Sequence, residues 1–377
     1  MANSMMKHFP KLLCRSMRGT GRMVAPPPSL TPNSSKSYKR VLSALGTPLR
    51  SLSTSGKLSS AFFESQHPLV PGTTFMDDTN VYQMLNKYET ILLDCDGVLW
   101  GTDHFTHLSG VAKTIEKLRS LNKQLLFVTN NSLHAREAYV EKFHSQAGFH
   151  ADIEDIFCTA YAAAVYMKDI AKVQGKCYMI GSKGMQDELN KLDIETIGFG
   201  PDSDAVSEDI DSLLNQALED NVDAVAVGYD VNFNYNKLFK ATSYLTDPKC
   251  HFIATNDLET REMIGKRHCQ PLTGALVKAV AAASVRKPEV VGKPHYHLME
   301  TILDTHPTVD PKKTLMIGDS LRTDVAFAHR AGISSALVLS GETNEDRLDK
   351  LLALPKNSIG QTPDYVLPSV CFLAEFI

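Results

Sequence analysis

The chain has 377 residues, 43% of them hydrophobic and 22% charged, with a formal net charge of −4. The length corresponds to about two domains, and no apolar run approaches the roughly 18 residues of a membrane span, so neither a nucleic-acid nor a membrane partner is expected. The seven cysteines form no CxxC pair, which argues against a zinc site and suits reduced thiols in a cytosol or an organelle matrix.

Charge is unevenly placed. Up to Gln66 there are ten Lys or Arg against the single acid Glu64, which leaves 29 bases against 42 acids for the rest. Residues 1–75 are rich in Ser, Pro, Lys and Arg, contain Pro26-Pro27-Pro28 and show no sustained periodicity. They read as a disordered basic head with the composition of an organellar targeting peptide. That implies a mitochondrial address; the alternative is a disordered head on a cytoplasmic protein.

From about Asn80 onward, short apolar runs alternate with helix-like stretches, the pattern of βαβ units and a mostly parallel sheet. The clearest strands are 90–93, 125–128, 290–291, 314–317 and 336–339, with helices at 111–121, 275–285 and 296–305. The middle of the chain has its own rhythm, with strands at 176–181, 224–229 and 251–255 and helices at 213–218 and 237–245. The expected architecture is a Rossmann-like α/β core, residues 76–165 and 272–377, with an α/β module of residues 166–271 inserted into it.

The residues at the carboxyl ends of the apolar runs carry the chemistry. The first strand ends in Asp94-Cys95-Asp96-Gly97, the second in Thr129-Asn130-Asn131-Ser132. Gly292-Lys293-Pro294 closes a third, and Gly318-Asp319-Ser320, then Asp324, a fourth. Ligands of open parallel sheets bind beyond the carboxyl ends of the strands, so these groups should converge in one crevice. Carboxylates held together need a cation between them or a retained proton, and oxygen donors without His or Cys favour Mg²⁺. Lys293, the Thr129 hydroxyl and nearby N–H groups suit phosphate oxygens. Asp94 can attack phosphorus and form an acyl phosphate. Asp96 can protonate the leaving oxygen and then take a proton from water, which requires a raised pKa. Ser132 reads as a helix cap, and Asn131 fits either a cap or a site role.

Taken together, Asp-x-Asp-Gly-Val-Leu-Trp from Asp94, Val128-Thr129-Asn130-Asn131-Ser132, Val291-Gly292-Lys293-Pro294 and Gly318-Asp319-Ser320-Leu321-Arg322-Thr323-Asp324 resemble, in order and spacing, the four motifs of the haloacid dehalogenase superfamily. The resemblance covers about residues 80–377. It implies Asp94 as nucleophile and Asp96 as acid/base, with the Asp96 backbone carbonyl also on Mg²⁺. It implies metal carboxylates from Asp94 and Asp319, with Asp324 holding the metal or its waters. Thr129, Asn130, Asn131 and Lys293 would bind the phosphoryl group.

An insert between the second and third motifs resembles the C2-type caps. Gly228-Tyr229-Asp230, Phe233, Tyr235-Asn236-Lys237-Leu238 and Ala254-Thr255-Asn256-Asp257 resemble the subgroup of phosphoglycolate, glycerol-3-phosphate and pyridoxal phosphatases; relatives with this cap type often pair through it, so the resemblance implies a homodimer here. Relatives carry a substrate-contacting His after the Ala-Thr-Asn segment; here Arg261 stands in that region. Tyr229, Asp230 and Arg261 are the candidate cap contacts, with Asn232 and Asn256 nearby. Arg261 would favour a carboxylate, whereas Asp230 would favour glycerol hydroxyls. The function expected is a Mg²⁺-dependent phosphatase of small metabolites, phosphoglycolate or glycerol-3-phosphate. Pyridoxal phosphate is the alternative substrate, with Tyr229 and Phe233 as an aromatic slot. A catalytically inactive binding protein on this fold is a further alternative, disfavoured because no motif acid or lysine is missing. P-loop, dinucleotide-binding and nucleophile-elbow patterns are absent.

Overall fold

The computed structural model describes residues 72–201, 203–204, 209–258, 261–264, 267–344, 347–348, 350 and 362–377. The basic head, and with it the targeting expectation, lies outside them apart from residues 72–75. In chain order the elements begin with β1 (Thr74–Phe75), α1 (Val81–Asn86), β2 (Thr90–Leu93), α2 (Val111–Ser120), β3 (Gln124–Thr129), α3 (Arg136–Lys142), β4 (Ile156–Cys158) and α4 (Thr159–Val165). They continue with β5 (Lys176–Ile180), α5 (Lys183–Lys191), β6 (Thr196–Ile197), α6 (Ile210–Asn215), β7 (Val222–Val227), α7 (Tyr235–Tyr244), β8 (His251–Ala254), β9 (Arg261–Ile264) and β10 (His268–Pro271). The last are α8 (Thr273–Ser284), β11 (Glu289–Val290), α9 (His297–Thr305), β12 (Thr314–Gly318), α10 (Ala326–Ala331), β13 (Ser334–Val338) and β14 (Tyr365–Leu367).

A seven-stranded sheet runs in the order β1-β14-β13-β12-β2-β3-β4, every pair parallel. All four residues of β2 are buried, as expected of a central strand covered on both faces. From β2 the chain moves outward through β3 and β4, then returns on the other side through β12, β13 and β14. The order therefore reverses between β2 and β12, the place where parallel sheets open a ligand crevice. The head was expected to stay unstructured to residue 75, but Thr74–Phe75 pair with β14 and Phe75 is buried.

A second parallel sheet, β11-β8-β7-β5-β6, and an antiparallel β9–β10 hairpin make up the insert. Its boundaries differ from 166–271. Helix α8 and strand β11, expected in the core, belong to the insert. Glu289 and Val290 pair with Ile253 and Ala254 of β8, and Leu276, Val277 and Val280 of α8 pack with Ala241 and Tyr244 of α7. At the other end, the turn Tyr166–Ile170 extends α4 and buries Met167 in the core. The inner face of the second sheet, with Cys177, Met179, Ala224 and Ile253, joins the same apolar cluster as Ala160, Ala163 and Ala164 of α4. Alanines there let sheet and helix approach closely, and full burial of a side chain such as Ile253 contributes about 1.5–3 kcal/mol. Among the described residues no helix is long and apolar enough to cross a membrane.

Candidate active site

Asp94 directly follows β2, its N–H bonded to the Ile317 carbonyl of β12 at 2.9 Å. Its Oδ1 accepts from the Cys95 N–H and from Lys293 Nζ, both at 2.8 Å. Lys293 Nζ also donates to Asp324 Oδ1 at 2.7 Å and to the Val128 carbonyl at 3.0 Å. All three ammonium protons thus have partners, and the side chain is buried. The backbone of Lys293 is bracketed by the Asn130 amide: Lys293 N donates to Asn130 Oδ1 at 2.8 Å and Asn130 Nδ2 donates to Lys293 O at 2.9 Å. Asn130, expected to bind phosphate, spends its side chain on this clamp, which leaves its backbone N–H for that purpose. Thr129 is buried, its Oγ1 accepting from Asn131 N at 3.1 Å, and Asn131 Oδ1 accepts from Leu133 N at 2.9 Å.

Ser320 caps the turn Leu321–Val325 by accepting from Thr323 N, which carries Asp324 back over the strand end. There Asp324 Oδ2 accepts from Ser320 N at 3.0 Å. Asp319 Oδ2 accepts from Glu342 N at 2.6 Å. One oxygen from each of Asp94, Asp319 and Asp324 lies within 4.8 Å of the others, and all three residues are buried. Gly97 makes this closeness feasible: its φ is +79°, and a Cβ there would fall 2.1 Å from Asp319 Oδ2.

Three buried acids face one lysine. Burial, then the charge of Asp324, raises the Asp94 carboxyl well above its ordinary range. The same two causes push Asp319 up to about 8. Burial alone would depress Lys293, but Asp324 and Asp94 outweigh it and raise the ammonium pKa. The surplus of negative charge and the all-oxygen donor set fit a hard divalent cation held by Asp94, Asp319 and Asp324.

Asp96 departs from expectation. Burial favours its neutral form, yet the hydrogen bond and charge of His104 and the indole N–H of Trp100 outweigh burial and hold the carboxyl below its ordinary value. This direction is opposite to the raised pKa expected of a resting acid. His104, which does this, was not singled out from the sequence.

The crevice is a cavity of about 590 Å³. Asp94, Asp96, Thr129, Asn130, Asn131, Lys293 and Asp319 reach it; Asp324 sits behind Lys293 and Asp319. From the insert come Tyr229, Asn256, Arg261 and Gln270, with the Tyr229 hydroxyl accepting from Gln270 Nε2. Asp230 does not reach the cavity. It is buried in an ion pair with Lys237 at 2.6 Å, and its Oδ1 accepts from Asn232 N. Asn234 caps α7 and so fixes Lys237 in the first turn. Ser132 caps no helix; its hydroxyl accepts from Tyr229 N at 3.4 Å, joining the β3 loop to the insert. Arg322 and Arg347, not anticipated, also line the cavity. Arg322 donates to the Leu258 carbonyl and Arg347 pairs with Glu342.

Known proteins resemble this chain in sequence and in fold. A haloacid dehalogenase-like hydrolase family model matches residues 91–195, and a second model, for HAD-hydrolase-like proteins, matches 290–373. The 4-nitrophenylphosphatase of Schizosaccharomyces pombe is 35% identical over 78% of this chain and 95% of its own. The glycerol-3-phosphate phosphatase of Mus musculus is 35% identical over 68% and 81%. Phosphoglycolate phosphatase 2 of Arabidopsis thaliana is 34% identical over 72% and 90%. A solved p-nitrophenyl phosphatase from Archaeoglobus fulgidus aligns at a TM-score of 0.62 and 26% identity, over 77% of this chain and 99% of that one. The chain belongs to the haloacid dehalogenase-like hydrolases. With relatives of this kind and a strand-end site of acids and lysine, it is a phosphoric monoester hydrolase.

Proposed function

We propose that the enzyme is Mg²⁺-dependent and hydrolyses a small phosphomonoester with an anionic leaving group, phosphoglycolate being the best fit, through an aspartyl phosphate on Asp94. The observation that carries this reading is the cluster of Asp94, Asp319 and Asp324 around Lys293 at the strand-order reversal. Mg²⁺, held by Asp94, Asp319, Asp324 and the Asp96 backbone carbonyl, would supply neutralising charge for the phosphoryl oxygens. Lys293, the Thr129 hydroxyl, the Asn130 N–H and the Asn131 side-chain amide orient that group. An Asp94 carboxylate oxygen bonds to phosphorus as the ester P–O bond breaks, and Asp96 gives its proton to the departing oxygen. Asp96 then takes a proton from water as that water attacks phosphorus, which releases inorganic phosphate and restores Asp94. Substrate phosphate brings like charge beside Asp96 and so opposes the effect of His104, which favours the protonated form when substrate is bound.

The leaving-group assignment is supported by the cap. Asp230, the group that would prefer glycerol hydroxyls, is paired internally, whereas Arg261 lines the cavity; Arg322 and Arg347 of the core line it too, Arg347 already paired with Glu342. The pyridoxal phosphate alternative wanted an aromatic slot from Tyr229 and Phe233. Tyr229 lines the cavity, but Phe233 packs in the cap's own core. The test is a comparison of kcat/KM for phosphoglycolate, glycerol-3-phosphate and pyridoxal phosphate at one Mg²⁺ concentration. Phosphoglycolate should lead. A tenfold lead for pyridoxal phosphate, about 1.4 kcal/mol in the transition state, would reject the assignment.

A further inference from the structure

The two oxygens of Asp96 are not equivalent. Oδ1 accepts from Trp100 Nε1 at 2.5 Å and lies 2.7 Å from His104 Nδ1, which donates to the carboxylate when that nitrogen carries its hydrogen. No described residue donates to Oδ2, and Asp96 lines the cavity. One donor is held by packing: Trp100 is buried, packs on Phe143 with ring centroids 5.6 Å apart and lies under the Lys142 ammonium. The other is set by its loop. Gly101 N donates to Thr106 O, Asp103 Oδ1 accepts from the N–H groups of Phe105 and Thr106, and His104 N donates to Gly101 O at 2.9 Å. At the tip His104 takes a φ of +66°, a conformation uncommon outside glycine. That backbone delivers its imidazole to Asp96, eight residues back along the chain.

We infer that His104 is a positioning residue for Asp96, locking its carboxyl so that Oδ2 is the oxygen that gives and takes the proton. The inference rests on Asp96 serving as the acid/base. The terminal torsion of an aspartate is broad and roughly two-fold, so an unrestrained carboxyl would present either oxygen. Two N–H donors on Oδ1 remove that freedom. With the hydrogen of His104 on Nδ1, they also bar a proton from Oδ1, because an O–H there would meet two other donors. A proton on Oδ2 leaves Oδ1 an acceptor, so both hydrogen bonds persist whether Asp96 is protonated or ionised. When the leaving oxygen departs from phosphorus, the Oδ2–H bond breaks and its proton moves to that oxygen, with the electron pair staying on Oδ2. The network need not rearrange in either direction.

The test separates this role from a structural one by leaving-group demand. An alkyl leaving group needs the proton, whereas nitrophenolate hardly does. In a double-displacement reaction, kcat/KM reports only the steps up to departure of the leaving group. His104→Gly removes the imidazole while suiting the left-handed backbone. His104→Asn keeps an N–H donor close to the Nδ1 position and also tolerates that backbone. The Gly variant should lower kcat/KM for phosphoglycolate by about tenfold or more, a fraction of the full general-acid effect. For 4-nitrophenyl phosphate it should lose less than about threefold, and the Asn variant should recover most of the alkyl-ester loss. Equal losses on both esters, or no loss on the alkyl ester, would overturn the inference. Asp96→Asn is run alongside. If it spares the alkyl ester, the acid/base reading itself fails and the inference falls with it. If it selectively removes alkyl-ester turnover while His104→Gly does not, the role of His104 alone is rejected.

Discussion

Lys237 of the cap and Lys293 of the core are each buried against aspartate just beyond a strand end. In the cap, Lys237 faces Asp230 after β7, one cation to one anion, with both side chains shut away from solvent. In the core, Lys293 is shared by Asp94 and Asp324, with Asp319 close by. The balanced pair is internally satisfied, and it fixes the turn into α7. The unbalanced set holds more negative charge than its lysine can offset, and it stays poised for a cation and a phosphoryl group. Similar residue types after similar strands thus serve different ends, and the local charge count separates them.

The largest effect expected from breaking this contrast is at the nucleophile. Asp94→Asn should lower kcat by more than a factor of about 10³, with an unchanged circular-dichroism spectrum, because an amide of the same shape cannot form the acyl phosphate. Chelation comes next. EDTA should abolish turnover and Mg²⁺ restore it, whereas Ca²⁺ should inhibit through its higher and looser coordination. Gly97→Ala ranks third. It forces a side chain into the left-handed region and against Asp319, and kcat should fall by about 10².

The balanced pair should respond in the opposite sense. Lys237→Met leaves Asp230 buried and unpaired, which should cost about 3–5 kcal/mol of unfolding free energy by chemical denaturation. Turnover per folded molecule should change little. A smaller, pH-dependent effect separates the two sites further. A carboxyl raised in the folded state binds its proton more tightly there than when unfolded. Asp94 and Asp319 are both raised. The metal-free protein should therefore lose stability as pH rises from about 4, the unfolded carboxyl value, through about 8, the Asp319 value. Stabilisation by added Mg²⁺ should grow over the same window. Thermal melts at several pH values, with and without Mg²⁺, check both signs.

Much of the core was legible because its strands are continuous apolar runs and its functional residues come directly after them. A parallel sheet turns that linear order into convergence. The cap was less legible. Val290-Val291 runs straight into Gly292-Lys293, so strand β11 read as part of the core, although β8 is its partner. Asp230 looked like a substrate group because its neutralising Lys237 comes close only when Asn234 starts a helix between them. The acidity of Asp96 depends on His104, brought to it by a loop whose left-handed tip no residue pattern announces. Asn130 was expected on phosphate, but its side chain meets the backbone of Lys293, 163 residues away.

The central claim is that Asp94 is phosphorylated during turnover. Acid quenching of a single turnover with ³²P-labelled phosphoglycolate, followed by peptide mapping, tests it most directly. The label should appear on the peptide containing Asp94, rise and decay at rates compatible with kcat, and be absent in Asp94→Asn. Full activity with no labelled enzyme, or with the label on another residue, would contradict the account.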